Sequence, residues 1–118
     1  MMIDISKMLR SFLPAIHGLK LLLTENNFRV HLLAFVCVIV AGFFVGVNNT
    51  EWAILIICVA LVLVAEAVNS AIESVVDLAT DQIHPLAKKA KDIAAAAVLI
   101  AATFAVIIAV LILSKYFI

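Results

Sequence analysis

Glu66, Asn69, Glu73 and Asp77 stand at the end of an apolar stretch that begins at Trp52. At about 100° per residue, offsets of 3, 7 and 11 fall at about −60°, −20° and +20° from the first residue. The four side chains therefore form one polar stripe on an otherwise apolar helix. Carboxylates are rare and costly inside a bilayer, and an ionisable residue there is a candidate functional site by default. Carboxylate and amide oxygens suit a hard cation, and a carboxylate can also take a proton. A stripe of acceptors near a membrane surface thus points to metal binding coupled to proton transfer.

The surrounding composition fits a membrane setting. The chain has 118 residues, of which 67% are hydrophobic, and its mean hydropathy is +1.28. A soluble domain is roughly half apolar, so the excess identifies the bilayer as solvent. The length allows one domain spanning residues 1–118. Eight basic and eight acidic residues cancel, and nothing indicates a nucleic-acid partner. Cys37 and Cys58 lie within apolar runs, without the paired spacing of a metal site, and read as small packing residues. Residues 1–10 mix charged and apolar side chains, so no cleavable signal peptide is expected.

Three stretches, about 30–47, 52–72 and 93–113, are long enough to cross the roughly 30 Å of bilayer hydrocarbon as helices. The short polar linker Asn48–Glu51 makes the first two an antiparallel hairpin. Trp52 and Tyr116 suit the interfacial aromatic belt. Lys7, Arg10, Lys20 and Arg29 precede the first span, and Lys88, Lys89 and Lys91 precede the third. The positive-inside rule then places the N-terminus and the second connection in the cytoplasm and the C-terminus outside. The polar stripe consequently opens toward the ATP side of the membrane.

The remaining segments supply the frame. Residues 5–24 carry Ile5, Met8, Leu9, Phe12, Leu13, Ile16, Leu19 and Leu23 at helical spacing between basic residues. They are expected to form an amphipathic surface helix that Pro14 kinks or splits. Gly42 and Gly46 form a GxxxG, and Ala97, Ala101, Ala105 and Ala109 repeat every four residues, so both sets are expected at helix contacts. Thr24 is expected to cap the first span, with Glu25 in its first turn. His84-Pro85 reads as a turn between the second and third spans. Three spans hide little polar surface, so an oligomer is expected to cover the Glu66 stripe.

Glu25, at the cytoplasmic mouth of the first span, is a candidate to share a divalent cation with Glu73. Two carboxylates plus phosphate oxygens is the usual way Mg²⁺ is held with a nucleotide. Lys88 and Lys89 read chiefly as topology determinants. Lys91 and Asp92 lie at the membrane boundary, where they can pair with acidic residues or phosphates. The only glycines are Gly18, Gly42 and Gly46, and neither GxxxxGK[ST] nor GxGxxG is present. Any bound ATP must be held by side chains and metal.

The run Glu66-Ala-Val-Asn-Ser-Ala-Ile-Glu-Ser-Val-Val-Asp77 resembles the signature of the bacterial integral-membrane diacylglycerol kinases. Glu25-Asn-Asn-Phe-Arg29 and Ala90-Lys-Asp92 fit the same family, which includes the undecaprenol kinases. The likeness extends over about residues 18–100, and the stretch Ile83–Asp92 is nearer the undecaprenol kinase branch. The resemblance implies an all-α homotrimer of three-span protomers with a surface helix and active sites shared between subunits, in the bacterial cytoplasmic (inner) membrane. It implies transfer of the γ-phosphate of MgATP to a lipid hydroxyl, that of diacylglycerol or undecaprenol. It gives Glu66 the role of general base, Asn69 that of orienting the reacting groups, and Glu25 and Glu73 those of Mg²⁺ ligands. Lys91 becomes a phosphate contact, Asp92 a nucleotide-side contact and Asp77 a further nucleotide-side or structural position. His31 stands where some members carry an acid.

The competing expectation is a small proton- or ion-translocating membrane subunit. Such a protein needs one buried acid, and it leaves the continuation of the stripe to Asp77, and the pair Lys91-Asp92, without a task.

Overall fold

The computed structural model describes residues 2–118. Its regular structure is all helical: α1 (Ile5–Arg10), α2 (Phe12–Leu23), α3 (Asn26–Val45), α4 (Asn49–Ala79) and α5 (Pro85–Ser114). Three of these, of 20, 31 and 30 residues, are long and apolar enough to cross a membrane. At a rise of 1.5 Å per residue α4 and α5 are each about 45 Å long, against roughly 30 Å of hydrocarbon. Each therefore has turns to spare beyond the apolar portion. In α4 the surplus holds Glu73 and Asp77, and in α5 it holds the three lysines. Neither helix has a reason to stop at the membrane boundary. Pro85 sits at the first position of α5, where its fixed φ suits the helix and its missing N–H costs nothing. The Nδ1 of His84 caps that end by accepting from the Leu86 amide at 3.1 Å.

A line of residues on α4, Glu51, Leu55, Cys58, Val62, Glu66 and Asn69, is buried against α3 and α5. These recur at steps of three and four, the spacing of one helix face. Phe28 on α3 and Ala94 and Val98 on α5 are buried as well. α4 packs more extensively on α5 than on α3. The radius of gyration is 17.9 Å, whereas a compact soluble chain of this length has about 13–14 Å. Long side chains such as Phe43, Phe44, Leu99 and Leu111 face outward, as expected of helices solvated by lipid.

Several local expectations are revised by the structure. Thr24 does not cap α3. It ends α2, and its hydroxyl donates to the Leu21 carbonyl at 2.6 Å. Glu25 is the N-cap of α3 by backbone position, but its carboxylate makes no capping bond, because it is directed to α4 instead. Arg29 closes the α2–α3 corner by donating to the Thr24 carbonyl at 2.8 Å. The N-terminal segment divides into α1 and α2 at Ser11, whose hydroxyl donates to the Met8 carbonyl. Pro14 falls in the first turn of α2, where no intrahelical donor is lost.

The two glycines of the GxxxG do different things. Gly46 is the left-handed C-cap of α3, at φ 76°, and a Cβ there would meet nothing. Gly42 is the packing residue: a Cβ would lie 2.6 Å from Cη2 of Trp52, whose ring also packs at a tilt against that of Phe43. A Gly42→Leu substitution should therefore destabilise the protein by about 1–3 kcal/mol, the usual range for overpacking. Thermal unfolding in detergent measures it, and an unchanged midpoint would show that the Trp52 ring has room to move. On α5 the buried positions are Ala94 and Val98; of the alanine repeat Ala97 is exposed, whereas Ala101, Ala105 and Ala109 are half-buried and continue the same face.

The end of the bundle remote from the stripe is fastened by Glu51. Its carboxylate accepts from the Asn48 amide at 3.0 Å in a reciprocal capping box. It also accepts from the Tyr116 hydroxyl and pairs with Lys115. The Glu51 carboxylate raises both the Lys115 and the Tyr116 pKa from their ordinary values, chiefly through these hydrogen bonds. A group whose folded pKa is raised stabilises the fold below its unfolded value and loses that contribution as pH rises through the folded one. The fastening should thus persist from neutral pH to about pH 10 and weaken above it. Thermal midpoints followed from neutral pH to above pH 10 should show an alkaline fall that is reduced in Lys115→Met. An identical fall in that variant would contradict the assignment.

Candidate active site

The stripe predicted on α4 exists, and it is buried at its deep end and open at its shallow end. Glu66 is 3% exposed and Asn69 is 6% exposed, while Glu73 and Asp77 face the surface. Asn69 Nδ2 donates to Glu73 Oε1 at 3.3 Å, one turn along the same helix. Its Oδ1 is buried and has no partner. A buried amide carbonyl without a donor costs about 1–3 kcal/mol, so a ligand that supplies a proton or a positive charge there is favoured.

Glu25 reaches this stripe from the start of α3. The Ser70 hydroxyl, beside Asn69 on α4, donates to the Glu25 carboxylate. That bond explains why Glu25 leaves its own helix uncapped. His31, in the second turn of α3, brings Nε2 to 3.7 Å from Oε2 of Glu66. Glu25, His31 and Glu73 are the titratable groups whose charges bear on Glu66. Among the described residues, no set of three or more His, Cys, Asp or Glu side chains is arranged to hold a metal ion. Mg²⁺ does not require such a cage, since it is commonly held by one or two carboxylates with substrate phosphates and water. The all-oxygen set of Glu25, Glu73 and the orphaned Asn69 carbonyl is of the kind that cation takes.

Asp77, Lys91 and Asp92 form a second group. Lys91 Nζ lies 2.6 Å from Asp77 Oδ1, joining α5 to α4, and Lys88 pairs with Asp92 one turn apart on α5. All four side chains are at least 42% exposed, and exposed pairs of this kind contribute only about 0–1 kcal/mol. The four residues border a cavity of about 550 Å³ under the α4–α5 turn, with Gln82 and His84 on its rim.

A separate, apolar cavity of about 450 Å³ lies between α3, α4 and α5. His31 lines one end, next to Glu66, and Ser114 lines the other, with Val62, Ala105 and Ala109 among the residues between. The molecule therefore offers a polar cleft on the stripe's open side and a greasy groove that ends at His31, beside the buried carboxylate.

The seven residues singled out from the sequence thus fall into two sets, Glu25, Glu66, Asn69 and Glu73 in one and Asp77, Lys91 and Asp92 in the other. Ser70 and His31 are further members. Ser70 sits at about +40° from Glu66 on the helical wheel, at the edge of the stripe, so its spacing is a signal for it. His31 comes from another helix, and no spacing within the stripe points to it.

An all-helical membrane chain with a buried carboxylate, an acidic mouth and a basic rim has the parts of a phosphotransferase working at the lipid surface. Residues 14–113 match the profile of the prokaryotic diacylglycerol kinases. The undecaprenol kinase of Bacillus subtilis (strain 168) is 40% identical over 110 residues, covering 92% of this chain and 89% of that one. The diacylglycerol kinase of Escherichia coli (strain K12) is 38% identical over 95 residues, covering 80% and 78%. That of Synechocystis sp. (strain ATCC 27184 / PCC 6803 / Kazusa) is 46% identical over 86 residues, which are 72% of this chain but 49% of the longer relative. The chain belongs to the prokaryotic diacylglycerol kinase family and is a membrane lipid kinase.

Proposed function

We propose that this kinase transfers the γ-phosphoryl group of ATP to the hydroxyl of undecaprenol, with diacylglycerol as the second candidate acceptor. The burial of Glu66 to 3% exposure, beside the His31 that lines one end of an apolar groove, is the observation that carries the reading. It puts a base where a lipid hydroxyl can arrive with its hydrocarbon chain still shielded from water. The relative named undecaprenol kinase matches over nearly the full length of both chains, which favours that acceptor.

Phosphoryl transfer depends on positioning and on neutralised charge more than on covalent chemistry. In the proposed mechanism Glu66 takes the proton of the lipid hydroxyl as its oxygen bonds to the γ-phosphorus, while the bond from that phosphorus to the β,γ-bridging oxygen breaks and ADP leaves with the electron pair. Asn69, with its free carbonyl, orients that hydroxyl or the phosphoryl group. Glu25 and Glu73 would hold Mg²⁺, which would supply positive charge to offset that of the phosphates. Ser70 keeps the Glu25 carboxylate turned toward α4. Lys91 leaves Asp77 for a phosphate of the nucleotide, and Asp77 and Asp92 line the nucleotide side of the cleft. The basic α5 end and the N-terminus face the cytoplasm, where ATP is supplied, and the C-terminus lies outside.

The unit is proposed to be a homotrimer in the bacterial inner membrane, with α1 and α2 on the cytoplasmic leaflet. The extended protomer and its outward apolar faces support an assembly in which subunits cover one another's stripes. A transfer assay in mixed micelles tests the acceptor. Undecaprenol and diacylglycerol compete at equal mole fraction for phosphate from labelled ATP, and undecaprenyl phosphate is expected to dominate. Dominant phosphatidic acid would reassign the enzyme to diacylglycerol.

A further inference from the structure

The Glu66 carboxylate has one close partner of opposite polarity, the imidazole of His31 at 3.7 Å. That separation is too long for a hydrogen bond. Contacts of this kind between catalytic groups are often long without substrate and tighten when it binds. The side chain of His31 is 24% exposed and that of Glu66 4%, so the histidine stands between a buried acid and the outside. It also forms the only polar part of the groove lining at that end, the other polar lining residue, Ser114, lying at the far end. α5 contributes apolar side chains such as Ala102 and Val106 there. Nothing else in this lining offers the carboxylate a donor.

We infer that His31 is the positioning residue of the base: its Nε2–H holds the Glu66 carboxylate at the mouth of the groove, aimed at the incoming hydroxyl. A base must be fixed to within a fraction of an ångström to be effective, and a third group that orients it is a recurrent device. His31 suits the task because it is anchored on α3 while Glu66 is on α4. The relative setting of two helices thereby fixes the carboxylate. The inference rests on the proposed role of Glu66 as base.

His31→Phe keeps the ring size and removes the donor, and His31→Gln keeps an N–H donor. Turnover of the full-length enzyme in mixed micelles is measured for both, alone and combined with Glu66→Gln, with thermal midpoints as the control for folding. His31→Phe should lower kcat about 10–100-fold, the range seen when an orienting partner is lost, with KM for ATP and for lipid within about twofold of wild type. His31→Gln should recover most of that loss. In the residual activity of Glu66→Gln, adding His31→Phe should cost nothing more, because residues that act through one another are not additive. A fully active His31→Phe beside a disabled Glu66→Gln would overturn the inference alone. So would a loss confined to the lipid KM, or a loss of the same size in the Glu66→Gln background. A Glu66→Gln enzyme with wild-type turnover would overturn the base assignment and this inference with it.

Discussion

Glu66→Gln should lower kcat by about 10²–10⁴-fold, the contribution general base catalysis typically makes, and leave KM for ATP nearly unchanged. Glutamine matches the volume of glutamate, and no ion pair closer than the 3.7 Å contact with His31 is broken, so the fold should survive. The expected loss comes from a single proton. As the lipid oxygen bonds to phosphorus its hydroxyl proton must leave, and Glu66 is the carboxylate beside His31 at the end of the groove. A steady-state assay over ATP and lipid concentrations separates the two constants. A rise in KM with kcat intact would mean that Glu66 binds substrate and that the proton leaves by another route.

The second large effect concerns the metal. Glu25→Gln and Glu73→Gln should each raise the Mg²⁺ concentration for half-maximal activity about tenfold or more, and excess Mg²⁺ should restore part of the rate. Both remove one of only two carboxylates in the proposed ligand set, and Mg²⁺ prefers charged oxygen donors. Ser70→Ala is the finer probe. It leaves both carboxylates in place and removes the hydroxyl that turns Glu25 toward α4. Its Mg²⁺ requirement should rise in the same direction by about 10–100-fold at most, as for other partners that orient ligands. A Mg²⁺ titration of the four proteins decides the matter. Curves that superimpose on wild type for Glu25→Gln and Glu73→Gln would remove these residues from the metal site.

The three spans and the α4 stripe were readable because each is a local pattern. A run of about twenty apolar residues and a repeat near 3.6 are properties of one segment. The pairing of Lys91 with an acidic residue was likewise accessible, since charge placement at the membrane boundary limits its partners. What was not legible depends on how segments meet. Thr24 has the chemistry of an N-cap, but it follows α2 so closely that its hydroxyl is committed to the Leu21 carbonyl. Gly42 and Gly46 look equivalent in sequence, yet one seats a tryptophan ring and the other turns the chain at positive φ. Glu51 and Tyr116 are 65 residues apart and meet only because α4 and α5 return to the same end of the bundle. His31 and Glu66 meet by the same route, through the packing of α3 on α4.

The central claim is that the α4 stripe carries out ATP-dependent phosphorylation of a lipid. Its most direct test is transfer of label from γ-phosphate-labelled ATP into lipid by the purified protein, with and without Mg²⁺, beside the Glu66→Gln variant. Labelled lipid that requires both Mg²⁺ and Glu66 is the predicted result. Labelled lipid formed equally well by Glu66→Gln, or none from an intact wild-type assembly supplied with undecaprenol and diacylglycerol, would contradict it.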